Sequence, residues 1–98
     1  MSTAIHFLRV ARREFDDAAD WYDQHAGGKG PAFTAAVRQT LDLIAGNPQL
    51  YAEVQDDVRA APVHGFPYCV YYRSDPDQIV VLAVFHNSRD PAVWQSRV

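Results

Sequence analysis

Ninety-eight residues, 48% hydrophobic and 12% aromatic, fit one domain, residues 1–98, with enough apolar content to fold without metal or disulfide staples. One cysteine, Cys69, cannot close an internal disulfide, no charged segment leads into an apolar signal stretch, and no apolar run nears the roughly 18 residues of a membrane span, so a cytoplasmic protein without membrane contact is the expectation. The formal net charge of −3 lacks the basic surplus of a general nucleic-acid binder, and it is local: eight acids face five bases up to Asp56, against four of each from Asp57 onward.

A short strand over Ala4 to Val10 leads into a segment where Ala11, Phe15, Ala18, Ala19, Tyr22 and Ala26 recur at spacings of three and four, which predicts an amphipathic helix. Arg12, Arg13, Asp16, Asp17, Asp20 and Asp23 fall on its other face, and Gly27-Gly28 stops it. A second helix opens at Gly30-Pro31, carries Phe33, Val37, Leu41 and Ile44 on one stripe and ends at Gly46-Asn47-Pro48. The short link between them predicts an antiparallel helical hairpin whose apolar face needs a sheet to cover.

Leu50 to Gln55 reads as a connector and Asp57 to Pro62 as a short strand. Phe66 to Arg73 and Gln78 to His86 are rich in strand formers, and Ser74-Asp75-Pro76-Asp77 between them is turn chemistry, so they form an antiparallel hairpin. Alternation puts Phe66, Tyr68, Val70 and Tyr72 on one face and Pro67, Cys69, Tyr71 and Arg73 on the other. The last strand is apolar on both faces, hence central, and parity leaves its exposed side open. The fold class is α+β: βααβββ, a helical hairpin on one face of a mainly antiparallel four-stranded sheet, with a short helix or turn around Pro91 to Gln95.

Trp21-Tyr22-Asp23, Gly46-Asn47-Pro48, Val58-Arg59, the run Phe66 to Tyr72, and Val84 to Pro91 together resemble, in order and over nearly the whole chain, the RelE/ParE superfamily of toxins from type II toxin–antitoxin, or plasmid stabilisation, modules. The resemblance implies a helical hairpin against one sheet face and a concave surface on the other. It also implies one of two activities: ribosome-dependent cleavage of messenger RNA without metal, as in RelE-like members, or inhibition of DNA gyrase, as in ParE-like members. Fold alone does not choose between them.

Cleavage by a 2′-hydroxyl needs a base, an acid and cations converging on one phosphate. Arg59, His86 and Arg89 are the candidates if the protein is a ribonuclease, and no catalytic residue is assigned otherwise. Cys69 stands where ribonuclease members carry a phosphate-holding arginine, Trp94 replaces a proton-exchanging aromatic near the C-terminus, and Lys29, the only lysine, lies between the helices. These departures favour the ParE-like branch, with a degenerate, non-toxic module as a further alternative.

The candidate target-binding set is Arg59, Tyr71, Arg73, His86, Arg89 and Trp94. Structural alternatives stand beside it: Arg59 and Arg89 as rim charges paired with Asp57 and Asp90, His86 as a hydrogen-bonded strand-end histidine, the tyrosines as sheet aromatics, and Trp94 packed on the sheet. The helical aspartates read as a solvated face, so no metal is assigned, and Gly27 to Gly30 lacks the spacing of a phosphate loop. No cofactor is expected. The implied partners are a cognate antitoxin, whose partly disordered segment folds over the toxin in a hetero-oligomer, and DNA gyrase or, in the alternative, the ribosome with its message.

Overall fold

A computed structural model describes residues 3–98. The elements are β1 (Ala4–Phe7), α1 (Arg9–His25), α2 (Gly30–Gly46), β2 (Glu53–Gln55), β3 (Val58–Pro62), β4 (Tyr68–Ser74), β5 (Gln78–His86) and α3 (Ala92–Gln95). The strands form one five-stranded sheet in the order β1-β5-β4-β3-β2.

This corrects the expected four-stranded sheet in two places. The stretch read as a connector contains β2, which pairs antiparallel with β3 through an irregular register; three residues are too few to show a period of two. The first strand pairs parallel with β5, Ala4 opposite Gln78 and Phe7 opposite Val81, so the sheet is mixed. β1 also stops at Phe7 and α1 begins at Arg9, because the apolar residues Leu8 and Val10 fit either period. β5 keeps its expected bounds and its central position, and the helical hairpin is present.

Both helices bury one stripe against the sheet. Ala11, Phe15 and Ala18 of α1 join Phe33, Val37, Leu41 and Ile44 of α2 over Ala61, Val70, Tyr72, Ile79, Val81 and Val84. Gly27 and Gly28 separate the helices at φ of 64° and 77°, a backbone region where residues with a Cβ are disfavoured. The Tyr72 hydroxyl donates to the Pro48 carbonyl at 2.8 Å, tying the end of the helical hairpin to the sheet.

A second apolar cluster occupies the opposite face: Val58, Val80, Leu82, Ala83, Phe85 and Trp94, with Leu8 and Tyr71 against it. Residues of both clusters alternate along β5 until a register shift, where Tyr71 pairs with Ala83 but Tyr72 with Val81. Leu82 is the extra residue. A bulge of this kind reverses the inside–outside parity of the strand beyond it, so Ile79 and Val81 share a face with Val84. Among the described residues, no helix is long and apolar enough to cross a membrane.

Candidate functional site

The selected side chains divide between the two ends of the β4–β5 hairpin. His86 lies opposite Tyr68, whereas Arg73 lies opposite Val80 and Arg59 opposite Tyr72. The step from Tyr68 to Arg73 along β4 is about 17 Å at an extended rise of about 3.3 Å per residue. Arg59 and His86 therefore do not meet on one phosphate.

At the far end, each arginine already has a partner. Arg59 donates to the Tyr51 carbonyl at 2.7 Å and to Gln49 Oε1 at 2.8 Å, and so braces the loop before β2 instead of pairing with Asp57. Arg73 donates through Nε to Asp75 Oδ1 at 2.9 Å and through Nη2 to Oδ2 at 3.3 Å. Those hydrogen bonds raise the Arg73 pKa and lower that of Asp75, each charge favouring the other.

On the second apolar face, Tyr71 and Trp94 stack with ring centroids 4.3 Å apart. Trp94 is only 4% exposed, and its indole N–H has no hydrogen-bond partner among the described residues. Burial raises the Tyr71 pKa first and the nearby Cys69 thiol adds to it, against the opposing influence of the stacked Trp94, whose N–H stands too poorly aligned to count as a formed hydrogen bond. Cys69 is half-buried and its own pKa is likewise raised by burial, the reverse of an activated thiolate.

The near end is organised by a residue the sequence did not mark. Glu14 of α1 accepts the Val84 backbone N–H at 3.2 Å, Arg89 Nη1 at 2.9 Å, and both terminal nitrogens of Arg97 at 2.9 Å. Arg97 also donates to the Leu82 carbonyl at 3.0 Å. β1 ends opposite Val81, so the Glu14–Arg97 pair supplies the acceptor and donor that a longer neighbouring strand would have supplied. Arg89 additionally lies over the Phe85 ring, 4.2 Å from its centroid. Only a charged residue buried on an otherwise apolar helix face hints at this in the sequence: Glu14 sits between Ala11 and Ala18.

His86 closes this end. Its Nδ1 accepts the Ser88 backbone N–H at 3.0 Å and lies 2.8 Å from the Ser88 hydroxyl. A backbone N–H is always a donor, so the neutral ring carries its proton on Nε2. Tyr68 meets the imidazole edge-on at 5.0 Å, and its pKa is raised by burial first and by Tyr22 next, against the opposing charge of Arg89.

Beside His86 an open-sided groove follows α1. Its wider part, about 560 Å³, is lined by Trp21, Tyr22, Ala26, Pro67, Tyr68 and His86. Through Trp21, Tyr68 and His86 it continues into a space of about 260 Å³ bordered by Glu14, Asp17, Ala18, Val84 and Arg89. Among the described residues no cluster of His, Cys, Asp and Glu has the arrangement of a metal site. The groove can grip an apolar chain segment, and it offers one imidazole donor beside the Tyr68 ring.

A family model described as "ParE toxin of type II toxin-antitoxin system, parDE" matches residues 5–91. Among solved structures, one titled "Chromosomal ParDE TA system from P. aeruginosa" superposes with a TM-score of 0.74 at 16% identity, covering 87% of this chain and 96% of that one; at that identity the likeness speaks for the fold. No curated protein sequence gives a significant match.

Proposed function

The chain belongs to the ParE toxin family of type II toxin–antitoxin systems, and on that premise we propose that it arrests growth by binding DNA gyrase and is held inactive by an antitoxin encoded beside it. The observation that carries this reading over ribonuclease chemistry is the division of the cations. Arg59 and Arg73 are spent at one end of the hairpin, Arg89 is paired with Glu14 at the other, and Cys69 offers no charge between them. A binder needs no convergent acid, base and cation.

The surface assigned to the target is the His86–Arg89 end, where the open-sided groove runs past the imidazole. Arg59 and Arg73, engaged at the far end of the hairpin, and Tyr71 and Trp94, stacked on the second apolar face, lie outside that surface. Purified protein added to gyrase is expected to inhibit supercoiling and to trap cleaved DNA; neither effect at saturating protein would count against the gyrase assignment. The runner-up, a ribosome-dependent messenger RNA interferase, draws on one observation, the free proton-bearing Nε2 of His86. Primer extension on translated messages decides it: cuts in the ribosomal A site that vanish with His86→Ala would replace the gyrase reading. Expression without any arrest of growth would favour a degenerate module.

A further inference from the structure

We propose that the outward face of α1 is an interface between two copies of this chain, packed antiparallel about a two-fold axis so that Arg9 and Arg13 of each copy meet Asp23 and Asp20 of the other. Arg9, Arg13, Asp16, Asp20 and Asp23 are all exposed. Their spacings of four, three, four and three residues set them on one stripe of the helix, turned away from the buried stripe of Ala11, Phe15 and Ala18. The stripe is split by sign, with bases in its first part and acids in the rest.

Helix stability does not account for that split. Acids favour the N-terminal end of a helix and bases the C-terminal end, yet the first turn of α1 holds no acid, while Asp20 and Asp23 lie in its second half. Contacts within the chain do not account for it either. Among the described residues Arg9, Arg13, Asp20 and Asp23 form no ion pair, although Arg38 lines the same cleft as the two acids.

A two-fold contact needs a surface that complements itself, and this stripe does. Asp16 stands seven positions from both Arg9 and Asp23, and three and four from Arg13 and Asp20, so an axis at Asp16 brings both pairs opposite in one register. The like charges that meet at the axis are those of Asp16 itself, and Arg12 Nε already holds that carboxylate at 3.3 Å. Beside the acidic half runs a cleft of about 460 Å³ between α1 and α2, lined in part by Ala19, Gly30, Pro31 and Ala35. Such small residues leave room for the aliphatic stems of the partner's arginines. A nucleic-acid backbone would meet Arg9 and Arg13 but then run on into three acids, so the stripe suits a second copy better.

Exposed ion pairs are individually weak, so the dimer forms reversibly, at about 0.1–1 mM protein. Sedimentation equilibrium of the full chain at about 0.5 mM is expected to show dimers at about 0.05 M salt and monomers at about 0.5 M, where the charges are screened. Arg13→Glu and Asp20→Arg should each weaken association about tenfold, because each sets like charges together twice per dimer. Mixed one to one, the two variants should pair with each other within about threefold of the wild type, since the mixed dimer sets the two new charges together and keeps one native pair. Asp77→Arg makes the same change in net charge as Asp20→Arg, but on the turn between β4 and β5, and should alter nothing.

All the altered residues are exposed, and circular dichroism checks that the variants are folded; if one is not, Arg9→Glu mixed with Asp23→Arg makes the same test. A wild type that stays monomeric at both salt concentrations would overturn the proposal, and duplex DNA bound through Arg9 and Arg13 of that monomer would put a phosphate backbone on the stripe instead. Dimers that neither single variant weakens would place the contact elsewhere and overturn it as well. Single variants that weaken association but fail to pair when mixed would overturn the antiparallel register.

Discussion

Arg97 and Glu14, eighty-three positions apart, form a two-pronged ion pair with both N···O distances at 2.9 Å, and together they finish the hydrogen bonding of β5 where β1 runs out. Their side chains are 13% and 12% exposed, so neither charge is well hydrated once the other is gone. Glu14→Gln keeps an acceptor for Val84 but leaves Arg97 half-desolvated, and should cost about 2–3 kcal/mol in urea unfolding. Adding Arg97→Met should recover part of that loss. A double variant no more stable than Glu14→Gln alone would show that the pair does not act as a unit.

Trp94 separates packing from hydrogen bonding. Its indole N–H is buried without a hydrogen-bond partner among the described residues, so Trp94→Phe removes an unpaired polar group and should cost at most about 1 kcal/mol. Trp94→Ala uncovers Tyr71, Leu82 and Phe85 and should cost about 3–5 kcal/mol. Equal losses for the two substitutions, measured by thermal unfolding, would mean that the N–H has a partner in solution.

Alkaline pH should destabilise the fold through its buried phenols. Tyr68 and Tyr72 have raised pKa values, in both cases chiefly from burial. In the unfolded chain these groups release their protons first, so the native state binds more protons there. Their contribution is fully present below the unfolded value near pH 10 and is lost as pH rises through the higher folded values. Tyr72→Phe should lower neutral-pH stability by about 1 kcal/mol, the worth of its hydrogen bond to Pro48, and should flatten the alkaline decline. A variant with an unchanged alkaline slope would remove Tyr72 from that explanation.

The two helices approach closely at Gly30. A Cβ there would stand 2.7 Å from Asp23 Cγ and Oδ1 and 2.8 Å from the Ala19 carbonyl oxygen. The carboxylate can swing away, but the carbonyl belongs to α1 and cannot. Gly30→Ala should therefore cost about 1–3 kcal/mol despite the helix propensity gained, about 1 kcal/mol. A rise in melting temperature would show that the hairpin is free to open at this point.

Two kinds of signal were legible in the chain: the periodic apolar stripes of both helices, and the continuous apolar run of β5 from Gln78 to His86. What escaped was set by partners distant in sequence. Nothing in Ala4–Phe7 announces that it runs parallel to β5, and the bulge at Leu82 depends on how β4 meets β5. The candidate site fared similarly. His86 and Arg89 were visible as polar residues closing an apolar strand, and Trp21 as part of a family resemblance. Arg97 looks like an ordinary surface charge, and Glu14 is marked only by its place between Ala11 and Ala18, until the fold brings them together, and the groove exists only because α1 lies beside Tyr68.

The parallel pairing of β1 with Gln78 to Val81 fixes an order of events during synthesis. β1 is made before both helices but waits for β5, the last strand of the sheet, so the helical hairpin meets water without its cover while translation continues. Contacts this far apart form slowly, and the uncovered interval favours clumping between neighbouring nascent chains. Early truncation by a stop codon before Val81 would accordingly yield material prone to precipitate rather than a smaller working molecule.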